Sequence, residues 1–240
     1  MDEIIKELVP CLEAMGLAGP EHLLQKLACH WQLLSKANAC FNLTAITQPE
    51  AAAPKHYADC LAAAEALKKL LPQGGKVADI GSGGGFPGLV MAAACLETDF
   101  TLIESSRKKT DFLNDTASAM GLTGVRALPL RAEEAGRDAS LRESFDLVTA
   151  RAVAELAVLA EYSFPLLKTG GVFFAMKGPD PTEELAAAAN ALSLLGGECE
   201  QILHYDLPCG ESRSLLIIRK KQATPDKYPR RPGMPAKRPL

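Results

Sequence analysis

Val77-Ala78-Asp79-Ile80-Gly81-Ser82-Gly83-Gly84-Gly85-Phe86-Pro87-Gly88 is the stretch that decides the fold. A short strand-like run closes in a cluster of glycines, and a helix-like segment, Leu89 to Leu96, follows. Glycine lets the backbone turn sharply and lets a ligand approach without meeting a Cβ. The helix start beyond it offers unpaired N–H groups. A phosphate-gripping Walker loop would need Gly-Lys-Ser/Thr, which is absent. In one frame Gly83, Gly85 and Gly88 fit the G-x-G-x-x-G dinucleotide fingerprint. Against that frame, the glycines begin at Gly81, directly after the strand, and Asp79 brings negative charge beside them. A ligand with a cationic part suits Asp79 better than a pyrophosphate does.

Outward from this turn the chain alternates between strand and helix. Strands are expected at Lys76–Ile80, Phe100–Glu104, Val125–Leu130, Phe145–Ala150 and Gly171–Lys177, with Ile202–Leu207 and Ser214–Arg219 as a closing pair. Helices are expected over Arg107–Met120, Val153–Tyr162 and Pro181–Leu195. Such alternation predicts an open α/β sheet with helices on both faces and a ligand outside the carboxyl ends of the strands. Before Gly75 the pattern is helical. Leu23, Leu24, Leu27, Trp31 and Leu34 form one apolar face behind Pro20, and a second helix is expected from about Lys55 to Leu70. Three parts follow: a helical extension (1–74), the α/β core (75–221) and a tail (222–240). Five prolines among the last 16 residues exclude a helix or inner strand in the tail. They leave a flexible arm or an extended segment laid along the body.

Composition narrows the function classes. No apolar run is long enough to span a bilayer, so no membrane association is expected. Seven cysteines without a C-x-x-C pair, and four histidines without ligand spacing, give no disulfide framework and no metal site. With no secretory leader pattern, a cytoplasmic location is expected. Net charge is −3, but residues 219–240 carry eight Lys/Arg and one acid while the rest carries an excess of ten acids. An acidic body with a basic tail points to a polyanionic partner.

The Asp-x-Gly-x-Gly turn resembles the first motif of S-adenosylmethionine-dependent methyltransferases. Glu104, about 20 residues beyond the glycines, stands where a carboxylate holds a ribose diol in nicotinamide and methyl-donor sites alike. The third strand is followed by Arg131-Ala132-Glu133-Glu134, beside the first loop and able to cover an adenine. The fourth ends at Arg151, where amino-group methyltransferases often carry Asn-Pro-Pro-Tyr. Arg151 offers a planar donor fork, which suits the O6 and N7 acceptors of guanine. No Gly-x-Ser-x-Gly elbow is present, which disfavours hydrolytic chemistry. A small-molecule methyltransferase, a nicotinamide-dependent oxidoreductase and a non-enzymatic nucleotide-binding module are the rival readings.

Several segments together resemble one family, the bacterial 16S ribosomal RNA guanine-N7 methyltransferases known as RsmG or GidB. They are Phe41-Asn42-Leu43-Thr44-Ala45, His56 with Asp59, the glycine turn, and Glu104-Ser105-Ser106-Arg107-Lys108-Lys109. Arg131-Ala132-Glu133-Glu134, Ala150-Arg151-Ala152-Val153-Ala154, Lys177-Gly178 and Tyr228-Pro229-Arg230-Arg231-Pro232-Gly233-Met234-Pro235 complete the set. The resemblance implies a Rossmann-like class I methyltransferase with a seven-stranded, mostly parallel sheet. It implies S-adenosylmethionine as donor and N7 of a guanosine in the decoding region of small-subunit rRNA as acceptor. Asp79, Gly81, Ser82, Gly83, Phe86, Glu104, Ser106, Ala132, Glu133 and Arg151 are then expected at the cofactor. Arg151 and Asn42 are expected at the reacting guanine, and Arg131, Lys177, Arg230 and Arg231 on RNA. The expected partner is 16S rRNA, the small subunit or its precursor, met by a monomer.

Overall fold

A computed structural model describes residues 2–240. The helical layer comes first in the chain: α1 (Glu3–Ala14), α2 (Glu21–Asn38), α3 (Pro49–Ala52), a π-helical turn (Ala53–Ala58) and α4 (Asp59–Leu70). There follow β1 (Lys76–Ile80), α5 (Gly88–Ala94), β2 (Asp99–Ile103), α6 (Arg107–Ala119), β3 (Val125–Leu128), α7 (Ala132–Ala135) and β4 (Phe145–Arg151). The remainder is α8 (Leu156–Ser163), β5 (Leu167–Lys177), α9 (Thr182–Ala187), α10 (Ala189–Leu195), β6 (Gly197–Asp206), β7 (Ser212–Lys220) and α11 (Met234–Lys237).

The seven strands lie in the order β3-β2-β1-β4-β5-β7-β6, and only β7 runs antiparallel to its neighbours. Successive side chains of a strand face opposite ways, and the two apolar clusters divide on that rule. Val77, Leu147, Phe174 and Ile217 pack with α1–α6, whereas Ala78, Val148, Phe173 and Ile218 pack with α8 and α10. Ile4, Leu8, Leu27, Leu34 and Leu67 of the helical layer belong to the same cluster as Val77 and Phe100, so α1–α4 form one face of the sheet's own core. Burying each such leucine stabilises the fold by about 1.5–3 kcal/mol. From β1 the chain runs outward to β2 and β3, then returns to place β4 on the other side of β1. The crevice at that reversal lies beyond Ile80 and Arg151.

Several elements differ from their sequence expectations, and β5 and β6 begin earlier than expected, at Leu167 and Gly197. The helix expected from Lys55 begins at Pro49, and its π-helical turn sets Lys55 and His56 toward β4. The single helix expected over 181–195 breaks at Ala188. The helix expected from Val153 starts at Leu156, because Ala152 adopts a left-handed φ of 56°. The tail, expected to hold no helix, makes one turn at α11. Pro235 falls in its first turn, where the missing N–H needs no partner.

Candidate active site

The glycine turn hangs from the end of β1. Gly81 N–H donates to Ile103 O on β2 at 2.8 Å, and the turn passes through positive φ at Gly81, Gly83 and Gly85. A Cβ on Gly81 would stand 2.6 Å from Val153 Cγ2. One on Gly83 would project into open space, its sole neighbour Gly81 O at 3.8 Å. Backbone and ligand can therefore approach closely at Gly83. Ser82 is buried, its hydroxyl donating to Asp79 O.

Glu104 faces this turn from β2. Its Oε2 accepts Gly83 N–H at 3.2 Å and its Oε1 accepts Ser106 N–H at 2.8 Å. Two backbone donors thus fix the carboxylate while leaving acceptor capacity on both oxygens. It opens on a cavity of about 250 Å³. Gly81, Ile103, Leu130 and Ala132 give it apolar walls, and Glu133, Tyr162, Gly233 and Ala236 stand around the same space. An oriented carboxylate beside an apolar slot has the chemistry to take a vicinal diol and a flat ring side by side. Ser106 serves through its backbone N–H. Glu133 is buried, and its Oε1 accepts Gly233 N–H at 2.8 Å.

Asp79, expected beside a cationic ligand, is sealed beneath the turn. Its Oδ2 accepts Gly88 N–H at 3.1 Å, and a Cβ on Gly88 would stand 2.6 Å from that oxygen. Its Oδ1 has no partner. Burial pushes the carboxyl up to about 7, against the hydrogen bond from Gly88 N–H.

A second cavity, of about 390 Å³, lies across residues 151–153 from the first. Arg151 and Ala152 line it, while Val153 lines the first cavity. Arg151 is nearly fully engaged. Its Nη1 donates to Lys55 O at 2.9 Å and Asp59 Oδ2 at 3.1 Å, and its Nη2 to His56 Nδ1 at 3.2 Å. Asp59 in turn accepts Tyr205 O–H at 2.7 Å. Because an arginine can only donate, His56 Nδ1 accepts. Its Nε2–H is then left to donate to Thr44 Oγ1, 2.9 Å away. Burial, and then the Arg151 charge, hold His56 down to about 3, so it stays neutral. Phe86 closes the set, with the guanidinium 5.3 Å from its centroid and His56 at 4.5 Å.

The remaining expected residues fall in different places. Asn42 is exposed on the loop of residues 41–47. That loop is pinned by Asn38 Oδ1, which accepts Leu43 N–H and Thr44 N–H, and it packs against Gly84. Lys177 lines the Arg151 cavity but pairs with Glu184 at 2.5 Å. Arg131 and Arg231 are exposed. Arg230, expected on RNA, instead makes a bidentate pair with Glu161 on α8, at 2.6 Å for Nη2 to Oε2 and 2.9 Å for Nε to Oε1. Sequence reading gave no role to Asp59, Tyr205 or Glu161. Glu161 did carry a signal, as the one charge in the otherwise apolar Leu156-Ala157-Val158-Leu159-Ala160 helix. A buried charge needs a partner.

Comparison with known proteins places these features. The model of the family described as rRNA small subunit methyltransferase G matches residues 23–215. The protein of that name from Pelotomaculum thermopropionicum is 43% identical over 227 residues, covering 94% of each chain. The one from Oceanobacillus iheyensis is 41% identical over 236 residues, covering 98% of each. Among solved structures, the ribosomal protein L11 methylase of Lactobacillus delbrueckii subsp. bulgaricus superposes with a TM-score of 0.51. Its identity is 17%, over 69% of this chain and 78% of that one. M. jannaschii TYW2, solved in complex with AdoMet, gives 0.50 at 16% identity, over 68% and 76%. At such identities the likeness is one of fold, and the fold is that of the class I methyltransferases.

Proposed function

The chain belongs to the rRNA small subunit methyltransferase G family, and on that premise we propose how its two cavities divide the reaction. The protein is an S-adenosylmethionine-dependent rRNA methyltransferase that modifies N7 of a guanosine in 16S rRNA. We assign the donor to the cavity of Glu104 and the target guanine to the cavity of Arg151. One observation carries the assignment: residues 151–153 line both, with Arg151 and Ala152 on one side and Val153 on the other.

The bound donor supplies an electrophilic methyl on a sulfonium. Guanine N7 has an in-plane lone pair and no proton, so the chain needs no general base. What it supplies is orientation, worth on the order of 7–11 kcal/mol when reactants are aligned. Arg151 still has its Nε–H and one Nη2–H uncommitted. Those donors suit guanine O6 or a phosphate and leave N7 open. Asp59 balances the Arg151 charge, and neutral His56 adds none, so a positive methyl is not repelled at close range. Lys55, Lys177 and Arg213 rim the same cavity, paired with Glu211 and Glu184, and meet the RNA backbone by exchanging those carboxylates for phosphates. Asn42 is exposed on the loop tied to His56 through Thr44, and we assign it to the base. An exposed loop or single-stranded region of rRNA is the fitting target, since A-form duplex hides N7.

No helix among the described residues is long and apolar enough to cross a membrane. We place the protein in the cytoplasm with its ribosomal substrate, and as a monomer. The test is nucleoside mass mapping of 16S rRNA from cells lacking the gene, complemented with wild type or Arg151→Met. Wild type restores a missing 7-methylguanosine and Arg151→Met does not. A deletion strain that keeps every 7-methylguanosine overturns the assignment.

A further inference from the structure

We infer that the C-terminal segment, residues 228–237, is a wall of the methyl-donor site, closing the adenine end of the cavity. The inference rests on the assignment of that cavity to the donor. Its basic and proline-rich composition reads as an arm reaching for RNA, but its contacts turn inward. Tyr228 is buried in the core cluster of α8 and α10. Arg142 Nη1 donates to Tyr228 O at 2.8 Å, and Pro229 packs on Gly136. Arg230 meets Glu161, a fully buried carboxylate, with its backbone N–H as well as its guanidinium. Three residues on, Gly233 N–H donates to Glu133. Glu133 immediately follows Ala132, and both line the cavity beside Glu104. Gly233 and Ala236 then complete the wall.

The segment is thus fastened at two buried acids, Glu161 and Glu133, and presents its small residues to the ligand. Small residues at 233 and 236 leave room for a flat ring between the tail and Leu130. Arg230 is a positioning residue: it holds the wall and touches no ligand. Arg231, Lys237 and Arg238 remain on the outer surface, so one segment faces donor and solvent on opposite sides.

Ala236 is exposed, so a large side chain there can fold and obstruct the slot. The experiment compares wild type, Ala236→Trp, Ala236→Ser, Arg230→Met and Glu104→Ala by calorimetric titration with S-adenosylhomocysteine. Thermal unfolding of each ligand-free protein is followed in parallel. Ala236→Trp is expected to bind at least tenfold more weakly with an unchanged unfolding temperature, and Ala236→Ser to bind as wild type. In methyl transfer, Ala236→Trp should raise the donor KM by the same factor. Arg230→Met should weaken donor binding yet leave the salt dependence of RNA binding as it was. If Ala236→Trp binds like wild type while Glu104→Ala does not, the wall is refuted and the donor cavity stands. If Glu104→Ala also binds like wild type, the cavity assignment falls and the wall with it.

Discussion

Replacing Asp59 with asparagine removes the one negative charge that meets Arg151. Asp59 is 3% exposed, and the two side chains are 4% and 14% exposed, so water replaces little of the lost interaction. Leaving a buried charge without its partner costs about 3–5 kcal/mol. Here the loss is smaller, because Arg151 keeps Lys55 O and His56 Nδ1 and the amide can still accept one hydrogen bond. We expect about 2–3 kcal/mol. For a chain of this size that lowers Tm by roughly 5–10 °C. Methyl transfer should fall on the order of 100-fold at saturating substrates, since a displaced orienting group costs about that much. Urea unfolding and single-turnover transfer measure the two effects. Tyr205→Phe alone should cost about 1 kcal/mol. With Asp59→Asn it should cost less than the sum, because both act through one carboxylate. The Asp59→Leu/Arg151→Met double variant, which removes both charges, should regain most of the stability and none of the activity. An Asp59→Asn protein as stable and as fast as wild type would refute the view that this pair orients the guanidinium.

Three further outcomes follow from the geometry. Gly81→Ala should destabilise by more than the ~1–2 kcal/mol of its left-handed backbone, since its Cβ meets Val153 at 2.6 Å; Gly83→Ala should cost only that backbone term yet lose donor affinity, as calorimetry and urea unfolding will separate. Glu104→Ala should weaken S-adenosylhomocysteine binding about tenfold or more while RNA affinity, by filter binding, stays constant. Between pH 5 and 6.5 stability should rise with pH: His30 and His56, held down to about 4 and 3 chiefly by burial, stay neutral while their unfolded counterparts bind protons. Asp79, pushed up to about 7 by burial, opposes them, because the folded carboxyl keeps a proton that the unfolded one releases. Asp79→Asn should therefore steepen the rise, and His30→Asn flatten it, each by up to about 1.4 kcal/mol per pH unit; urea midpoints across that window that leave either slope unchanged contradict the assignment.

Local pattern made much of the core legible. The run from Val77 through Gly88 marks β1, its turn and the start of α5, and an acid a strand later marks Glu104, because these features sit on adjacent segments. Arg151 was legible as a group at the end of β4, though not what holds it. Asp59 and Tyr205 lie 92 and 146 residues from their partners, and no short window of sequence contains that juxtaposition. The tail misled for a physical reason. Eight cations in its vicinity read as a polyanion-seeking surface, but charge composition does not say which cations are neutralised within the fold. Glu161 and Glu133, hidden in α8 and α7, decide that for Arg230 and the backbone of Gly233. The one-turn helix at Met234–Lys237 is not legible from the number of prolines, because position within a turn decides whether a proline is tolerated.

The place of β7 has a consequence for how this protein is made. β7, the last of the seven strands in the sequence, does not lie at the margin but is threaded between β5 and β6, and on our proposal the segment after it closes the donor cavity. A chain interrupted before β7 would leave β6 with no neighbour and β5 with an open edge, so the sheet cannot close from its first six strands.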